Sequence, residues 1–184
     1  MKFGCISSLS SFDTIGLINS KGVFKIDSKL LRRAFGKFPT GVTVVTWFDK
    51  DGINGITVNS FTSVSLEPPL ALVSIDKQAN SYEQLQNKPF TINVLADNQE
   101  AIAWQFAGRP QENLEIPWNK DGDSPSIDGV SGYFKCKQWQ QYDAGDHVLF
   151  VGEITEFDCK NGNSLTFFEG QMGSTETYKS QEVQ

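Results

Sequence analysis

The segment Gly55-Ile56-Thr57-Val58-Asn59-Ser60-Phe61-Thr62-Ser63-Val64-Ser65-Leu66-Glu67-Pro68-Pro69-Leu70 holds the first candidate chemistry. From Asn59 to Ser65, five of seven side chains are small and polar. A strand that ends there, before Pro68-Pro69 turns the chain, exposes successive amides and hydroxyls. Such a row suits a flat heteroaromatic ring with polar edges, or a phosphate. It equally suits a Ser/Thr-rich loop that satisfies its own backbone. A second candidate is Ser74-Ile75-Asp76-Lys77-Gln78-Ala79-Asn80-Ser81. An apolar strand here runs into a helix start, where free amides attract phosphate and Lys77 adds a charge. An ordinary N-cap is the alternative. The third candidate is His147, the single histidine, in Tyr142-Asp143-Ala144-Gly145-Asp146-His147. It stands at the mouth of a predicted hairpin, as a structural or a site residue.

Other chemistries lack their parts. No G-x-G-x-x-G follows a strand, so a Rossmann site is disfavoured. There is no G-x-S-x-G and no second histidine for a triad. Cys5, Cys136 and Cys159 form no C-x-x-C, and with one histidine they complete no usual zinc set, so no metal is expected. Free thiols in a cytoplasmic protein are the simplest account. The chain's net charge of −6 disfavours nucleic acid and anionic membranes. No run approaches the roughly 20 apolar residues of a membrane span, and the first residues make a poor signal peptide.

The elements that position these candidates follow from periodicity. Residues 1–22, Ser- and Gly-rich, read as a flexible arm, and residues 177–184 as a tail. The domain is read as residues 23–176. Asp27 or Ser28 caps a helix that places Leu30, Leu31, Ala34, Phe35 and Phe38 on one face. Pro39-Thr40-Gly41 stops it. Val42 to Phe48 and Ile53 to Val58 form a hairpin about Asp49-Lys50-Asp51-Gly52. Leu70 to Ile75 reads as a buried strand. Phe90, Ile92 and Val94 alternate with Thr91 and Asn93. Ser81-x-x-Gln84 and Asp97-x-x-Glu100 suggest capping boxes for two short helices. Ile102 and Phe106 of the second point inward, and Gly108 stops it. Residues 109–132 read as a long loop, a functional lid or edge. Tyr133 to Trp139 and His147 to Phe157 make a second hairpin. The sum is a mainly β chain with a few helices, expected to close into a barrel.

From about residue 27 to about 173, the order and spacing of motifs resemble the flavin reductase family of two-component flavin-dependent monooxygenases. The resemblance runs through Leu31-Arg32-Arg33-Ala34-Phe35-Gly36-Lys37-Phe38-Pro39-Thr40-Gly41-Val42-Thr43-Val44-Val45-Thr46 and Gly55 to Leu70. It continues in Phe90-Thr91-Ile92-Asn93-Val94-Leu95, Phe106-Ala107-Gly108-Arg109, Trp118 and Asp143-Ala144-Gly145-Asp146-His147. The family's fold is the FMN-binding split barrel, Greek-key-like. The resemblance implies FMN, or FAD, with NADH or NADPH as co-substrate. It implies that Thr57, Val58, Asn59 and Ser60 bond the polar edge of the isoalloxazine. Ser65, Ser74, Asn80 and Ser81 would hold the ribityl chain and phosphate. Phe106, Gly108 and Arg109 would close over the flavin tail, and Phe61 and Thr40 join the flavin set. Pro39, Thr40, Gly41 and His147 would border the nicotinamide. Hydride transfer needs no general base, so His147 would position rather than abstract a proton. The resemblance also implies a homodimer and a partner monooxygenase that takes the reduced flavin.

One departure stands out. The family usually ends its barrel with an aromatic pair and then Arg-Gly-Arg-Tyr. Here the stretch is Phe167-Phe168-Glu169-Gly170-Gln171-Met172-Gly173, without either arginine or the tyrosine. A non-enzymatic FMN-binding electron carrier or flavin-binding protein is therefore the alternative. A pure interaction module fits less well, since an interface core would be more apolar than Thr57 to Ser65.

Overall fold

The computed structural model describes residues 16–18 and 24–175. The chain divides into two units, residues 1–38 and 39–184. In the first, β1 (Gly16–Ile18) pairs antiparallel with β2 (Phe24–Ile26). The Ser/Gly-rich stretch before residue 23 thus contributes a strand. The rest of the arm, Cys5 included, and the tail from 177 lie outside the described residues. Helix α1 (Ser28–Phe35) is capped as expected, with Asp27 Oδ1 accepting from the amides of Lys29 at 2.7 Å and Leu30 at 3.2 Å. No residue of α1 is buried.

The second unit opens with β3 (Thr40–Gly41), then β4 (Thr43–Asp49) and β5 (Gly52–Val58), which form the predicted hairpin. Next come β6 (Thr62–Leu66), β7 (Pro69–Asp76), α2 (Asn80–Gln84) and β8 (Phe90–Val94). A 3-10 turn at Asp97–Gln99 leads into α3 (Glu100–Phe106). Short strands β9 (Trp118–Asn119) and β10 (Ser126–Ile127) precede the long β11 (Gly132–Ala144) and β12 (His147–Cys159). The chain then forms the hairpin β13 (Leu165–Phe168) and β14 (Gln171–Ser174).

A seven-stranded antiparallel sheet runs in the order β5-β4-β8-β11-β12-β7-β6. Its two edge strands, β5 and β6, are consecutive in sequence, joined by Asn59-Ser60-Phe61. β5 comes back against β7, and a side chain stitches the seam. The Ser60 hydroxyl donates to the Ser74 carbonyl at 3.0 Å and accepts from the Ser74 amide at 2.9 Å. The ring therefore closes through a serine at this point and not through a backbone ladder. A small sheet, β14-β13-β3, packs nearby, with Thr40 opposite Phe167.

Strand alternation sorts β4 and Val42 before it between two cores. Val45 and Trp47 join Val73, Phe90, Ile92 and Phe150 in one, while Val42 and Val44 join Leu95, Ile102, Ala103 and Leu165 in the other. Each fully buried aliphatic or aromatic side chain stabilises the fold by roughly 1.5–3 kcal/mol.

Three expectations change. β8 alternates, but its polar face is buried too. Asn93 Nδ2 donates to the Val44 carbonyl at 2.9 Å, its Oδ1 accepts from the Ile127 amide at 2.8 Å, and Thr91 meets Ser124 at 2.8 Å. The cover is the stretch read as a long open loop. It carries β9 and β10, and Ser124 to Ile127 are buried. The capping boxes also fail as drawn. Ser81 lies inside α2, whose start has no side-chain cap, because the N-cap residue is Ala79, which carries no acceptor. Before α3, Gln99 Oε1 accepts from the Ala96 amide, while Asp97 Oδ2 accepts from the Ser174 hydroxyl. Gly108 does end α3, in the left-handed region at φ 78°. Among the described residues, no helix is long and apolar enough to cross a membrane, and no metal-ligand cluster forms.

Candidate functional site

Two clefts share one wall, and that wall is the end of β5. Thr57, Val58 and Asn59 line both. The first cleft, about 200 Å³, is completed by Val42, Trp104, Ala107, Phe167 and Met172. The second, about 270 Å³, is completed by Ile56, Ser60, Ser74, Ile75, Asp76 and His147. The first cleft is thus almost wholly apolar, while the second is mixed, with Ser60, Ser74, Asp76 and His147 beside Ile56, Val58 and Ile75.

Helix α3 is locked onto this wall. Thr57 Oγ1 donates to the Ala103 carbonyl at 2.6 Å. Gly55 lets the Phe106 ring lie directly on β5, since a Cβ there would meet that ring at 2.9 Å. The lock sets Trp104 at the cleft. The indole Nε1 donates to Glu100 Oε1 at 2.8 Å, and the Arg109 guanidinium stacks 4.3 Å from its ring. The hairpin β13–β14 brings Phe167 and Met172 from the far end of the chain.

His147 enters the second cleft from the β11–β12 turn, where it pairs with Asp76 of β7. Its Nδ1 lies 2.8 Å from Asp146 Oδ1. The hydrogen bond from His147 holds the Asp146 carboxyl below its ordinary range, aided by the attraction between the two groups. Lys77 does not reach toward a ligand. Its Nζ donates to the Gly145 carbonyl at 3.0 Å and meets Asp143 at 2.9 Å, pinning the turn that carries His147.

The structure therefore brings together Thr57, Val58, Asn59, Ser60, Ser74 and His147. The other predicted site residues line neither cleft. Phe61 stacks on Phe134 at 5.6 Å. Ser65 lies on β6, and Asn80 and Ser81 open α2. Phe106 packs on Gly55 and edge-on to Trp118. Gly108 and Arg109 follow α3, while Pro39 precedes Thr40 and Gly41 of β3. Of the further lining residues, Trp104 lay outside every candidate segment, while Ile56, Ile75, Asp76 and Ala107 lay within such segments without a role of their own. Trp104 follows the buried pair Ile102 and Ala103, so helical spacing puts it at a rim. Which rim depends on long-range packing.

The residues present fit a flat ring with polar edges. One side of the wall is apolar, the other carries hydroxyls and an imidazole. Thr40 Oγ1, opposite Phe167 in the ladder, is buried without a hydrogen-bond partner among the described residues. Buried polar groups are normally partnered, so this hydroxyl is available to one.

The chain matches the family described as flavin reductase like domain over residues 35–176. It belongs to that family. The reductase component of the flavin-dependent trigonelline monooxygenase of Acinetobacter baylyi is 43% identical over 145 residues, covering 76% of this chain and 46% of that protein. An NADH-dependent flavin reductase of a Rhodococcus species is 36% identical over 152 residues, covering 79% and 85%. The NADH:FAD oxidoreductase of Streptomyces globisporus, solved in complex with NAD and FAD fragments, has a TM-score of 0.73 and 34% identity, covering 85% of this chain and 94% of that one. The chain spans about half the length of two of the curated relatives it matches. The expected fold class, a mainly β barrel-type domain with few helices, holds.

Proposed function

We propose that this chain is an NAD(P)H-dependent flavin reductase that passes hydride from NADH or NADPH to FMN or FAD and supplies reduced flavin to a partner monooxygenase. The observation that carries this reading is the shared wall: Thr57, Val58 and Asn59 line both an apolar cleft and a mixed one that contains His147. Bound flavin supplies the ring that accepts the hydride. The chain's own residues bind and orient. Trp104, Phe167 and Met172 offer apolar contact and keep water from one side of the wall. Thr57 has committed its proton to Ala103, so toward a ligand Oγ1 acts only as an acceptor, suited to a ring N–H. Asn59 offers both a donor and an acceptor. Ser60 spends its hydroxyl on Ser74 and so holds the seam rather than the ligand. His147, with Nδ1 tied to Asp146, keeps Nε2 for the nicotinamide. Thr40, Pro39 and Gly41 border that side, and Arg109 with Gly108 lies toward the flavin tail. The same reading takes residues 23–176 as the domain, a homodimer as the assembly and the cytoplasm as its location.

The test is direct. Purified chain is mixed with FMN or FAD, and NADH and NADPH oxidation is followed by absorbance. Rapid oxidation that requires added flavin is expected. Flavin that binds without turnover supports the carrier instead, which the missing arginines of the β13–β14 hairpin favour. Failure to bind either flavin overturns both readings.

A further inference from the structure

β11 loses one neighbour part-way along. β8 pairs with it from Gly132 to Cys136, whereas β12 follows it to Ala144. Past Cys136, no strand among the described residues pairs with that side of β11. A β-bulge interrupts this stretch: Gln138 pairs with Gly152 and Gln140 with Val151, which leaves Trp139 as the extra residue. Bulges re-aim side chains, and here Trp139 is left 51% exposed. It borders a cleft of about 640 Å³ between β11 and the α2–β8 link. Lys88, Lys137, Gln138, Gln140 and Gln141 line it as well, and no carboxylate does.

The amides in this cleft are fixed in place. Asn87, in the left-handed region at φ 58°, donates its amide N–H to Gln138 Oε1 at 2.8 Å. Gln141 Nε2 donates to Gln86 Oε1 at 2.8 Å, and Gln86 Nε2 donates to the Tyr82 carbonyl at 3.2 Å. Gln138 keeps its amino group, and Gln141 its carbonyl oxygen, for another partner. Lys88 is held by Asp49 at 2.9 Å, while Lys137 is exposed. Asp49 neutralises Lys88, so Lys137 is the ammonium group of this lining left to meet an anion, with no carboxylate lining the cleft beside it.

An aromatic face beside fixed amide groups and a cation matches a base joined to a phosphate. The geometry points to a second ligand site here, for a purine mononucleotide: base on Trp139, base edge on Gln138 and Gln141, phosphate at Lys137. It shares no lining residue with the two clefts at β5, so it does not depend on the flavin reading.

Calorimetric titration of the whole chain with AMP tests the site. Saturable binding at one site per chain is expected. Trp139→Ala and Lys137→Glu should each weaken it about tenfold or more, the scale of losing one base–aromatic stack. Trp139→Phe keeps a ring face and should retain most of the affinity, and FMN titration should be unchanged in all three variants. The site is rejected if AMP does not bind, or binds Trp139→Ala as well as the parent. It is equally rejected if inorganic phosphate binds as tightly as AMP, or if FMN displaces AMP. Should Trp139→Ala fail to fold, the exposed Lys137→Glu variant decides the matter.

Discussion

Thr57 shows how a single hydroxyl gains direction. In an isolated loop it would rotate freely, but the Ala103 carbonyl fixes its proton at 2.6 Å. Thr57→Val removes that bond and leaves the Ala103 carbonyl with the Ala107 amide alone. A stability loss of about 1 kcal/mol is expected in denaturant unfolding, together with weaker flavin binding. Thr57→Ser keeps the hydroxyl and should restore both. His147 is set by Asp146 in the same way. His147→Ala should raise the KM for NADH and leave FMN affinity unchanged; unaltered kinetics would remove His147 from the site. Asp146→Asn keeps an acceptor but loses the charge, so its defect should be smaller than that of His147→Ala.

At the scale of elements, the site depends on how α3 and the β13–β14 hairpin meet the end of β5. The contact between Gly55 and Phe106 governs the first. A methyl at Gly55 would lie 2.9 Å from the ring and 3.2 Å from the Val45 carbonyl. Gly55→Ala should cost about 1–3 kcal/mol, as overpacked sites do, and should loosen Trp104 at the apolar cleft. Phe106→Leu introduced with it makes room. Flavin affinity in the double variant should exceed the value expected from adding the two single effects. Additive losses would show that the ring contact does not set α3. The hairpin is held apart from the sequence around it, through the Ser174 hydroxyl on Asp97 and the ladder to Thr40.

For the whole molecule, two polar clusters tie the connection between α3 and β11 to the sheet. Asn93 binds both Val44 and Ile127 from full burial. Asn93→Leu strands those backbone groups and should cost about 2–3 kcal/mol, read from unfolding midpoints. The second cluster is Lys135, Glu156 and Tyr133. Lys135 Nζ, nearly buried, donates to the Asp121 carbonyl at 3.0 Å and meets Glu156 at 3.0 Å, and the Tyr133 hydroxyl donates to the same carboxylate at 2.8 Å. Those hydrogen bonds, Lys135 first, hold the Glu156 carboxyl below its ordinary range. A carboxyl lowered in the folded state adds stability above its unfolded value and loses it as pH falls through the folded one. Glu156→Gln should therefore be less stable than the parent near neutral pH, with the gap closing in acid. A gap that stays constant with pH would remove this ion pair from the stability balance. Hydrogen bonding to Glu156 also pushes the Tyr133 phenol up to about 12, and burial does the same for the Cys136 thiol, which stays unreactive.

The sequence by itself determined the local layer. Asp49 to Gly52 and Gly145-Asp146 set the two hairpins through turn chemistry, and Asp27 set its own cap, because each depends on neighbours a few residues away. The run from Thr57 to Ser60 and the lone His147 were also legible as candidates. Only the tertiary structure decided that they face one cleft, through the pairing of His147 with Asp76 and the stitch from Ser60 to Ser74. It also decided that Trp104 and Met172 complete the apolar side, that Lys77 serves the turn, and that Thr91 and Asn93 face a buried network. Each of these rests on contacts between residues far apart in sequence. A period of two shows which side chains share a face, but it does not show what covers that face.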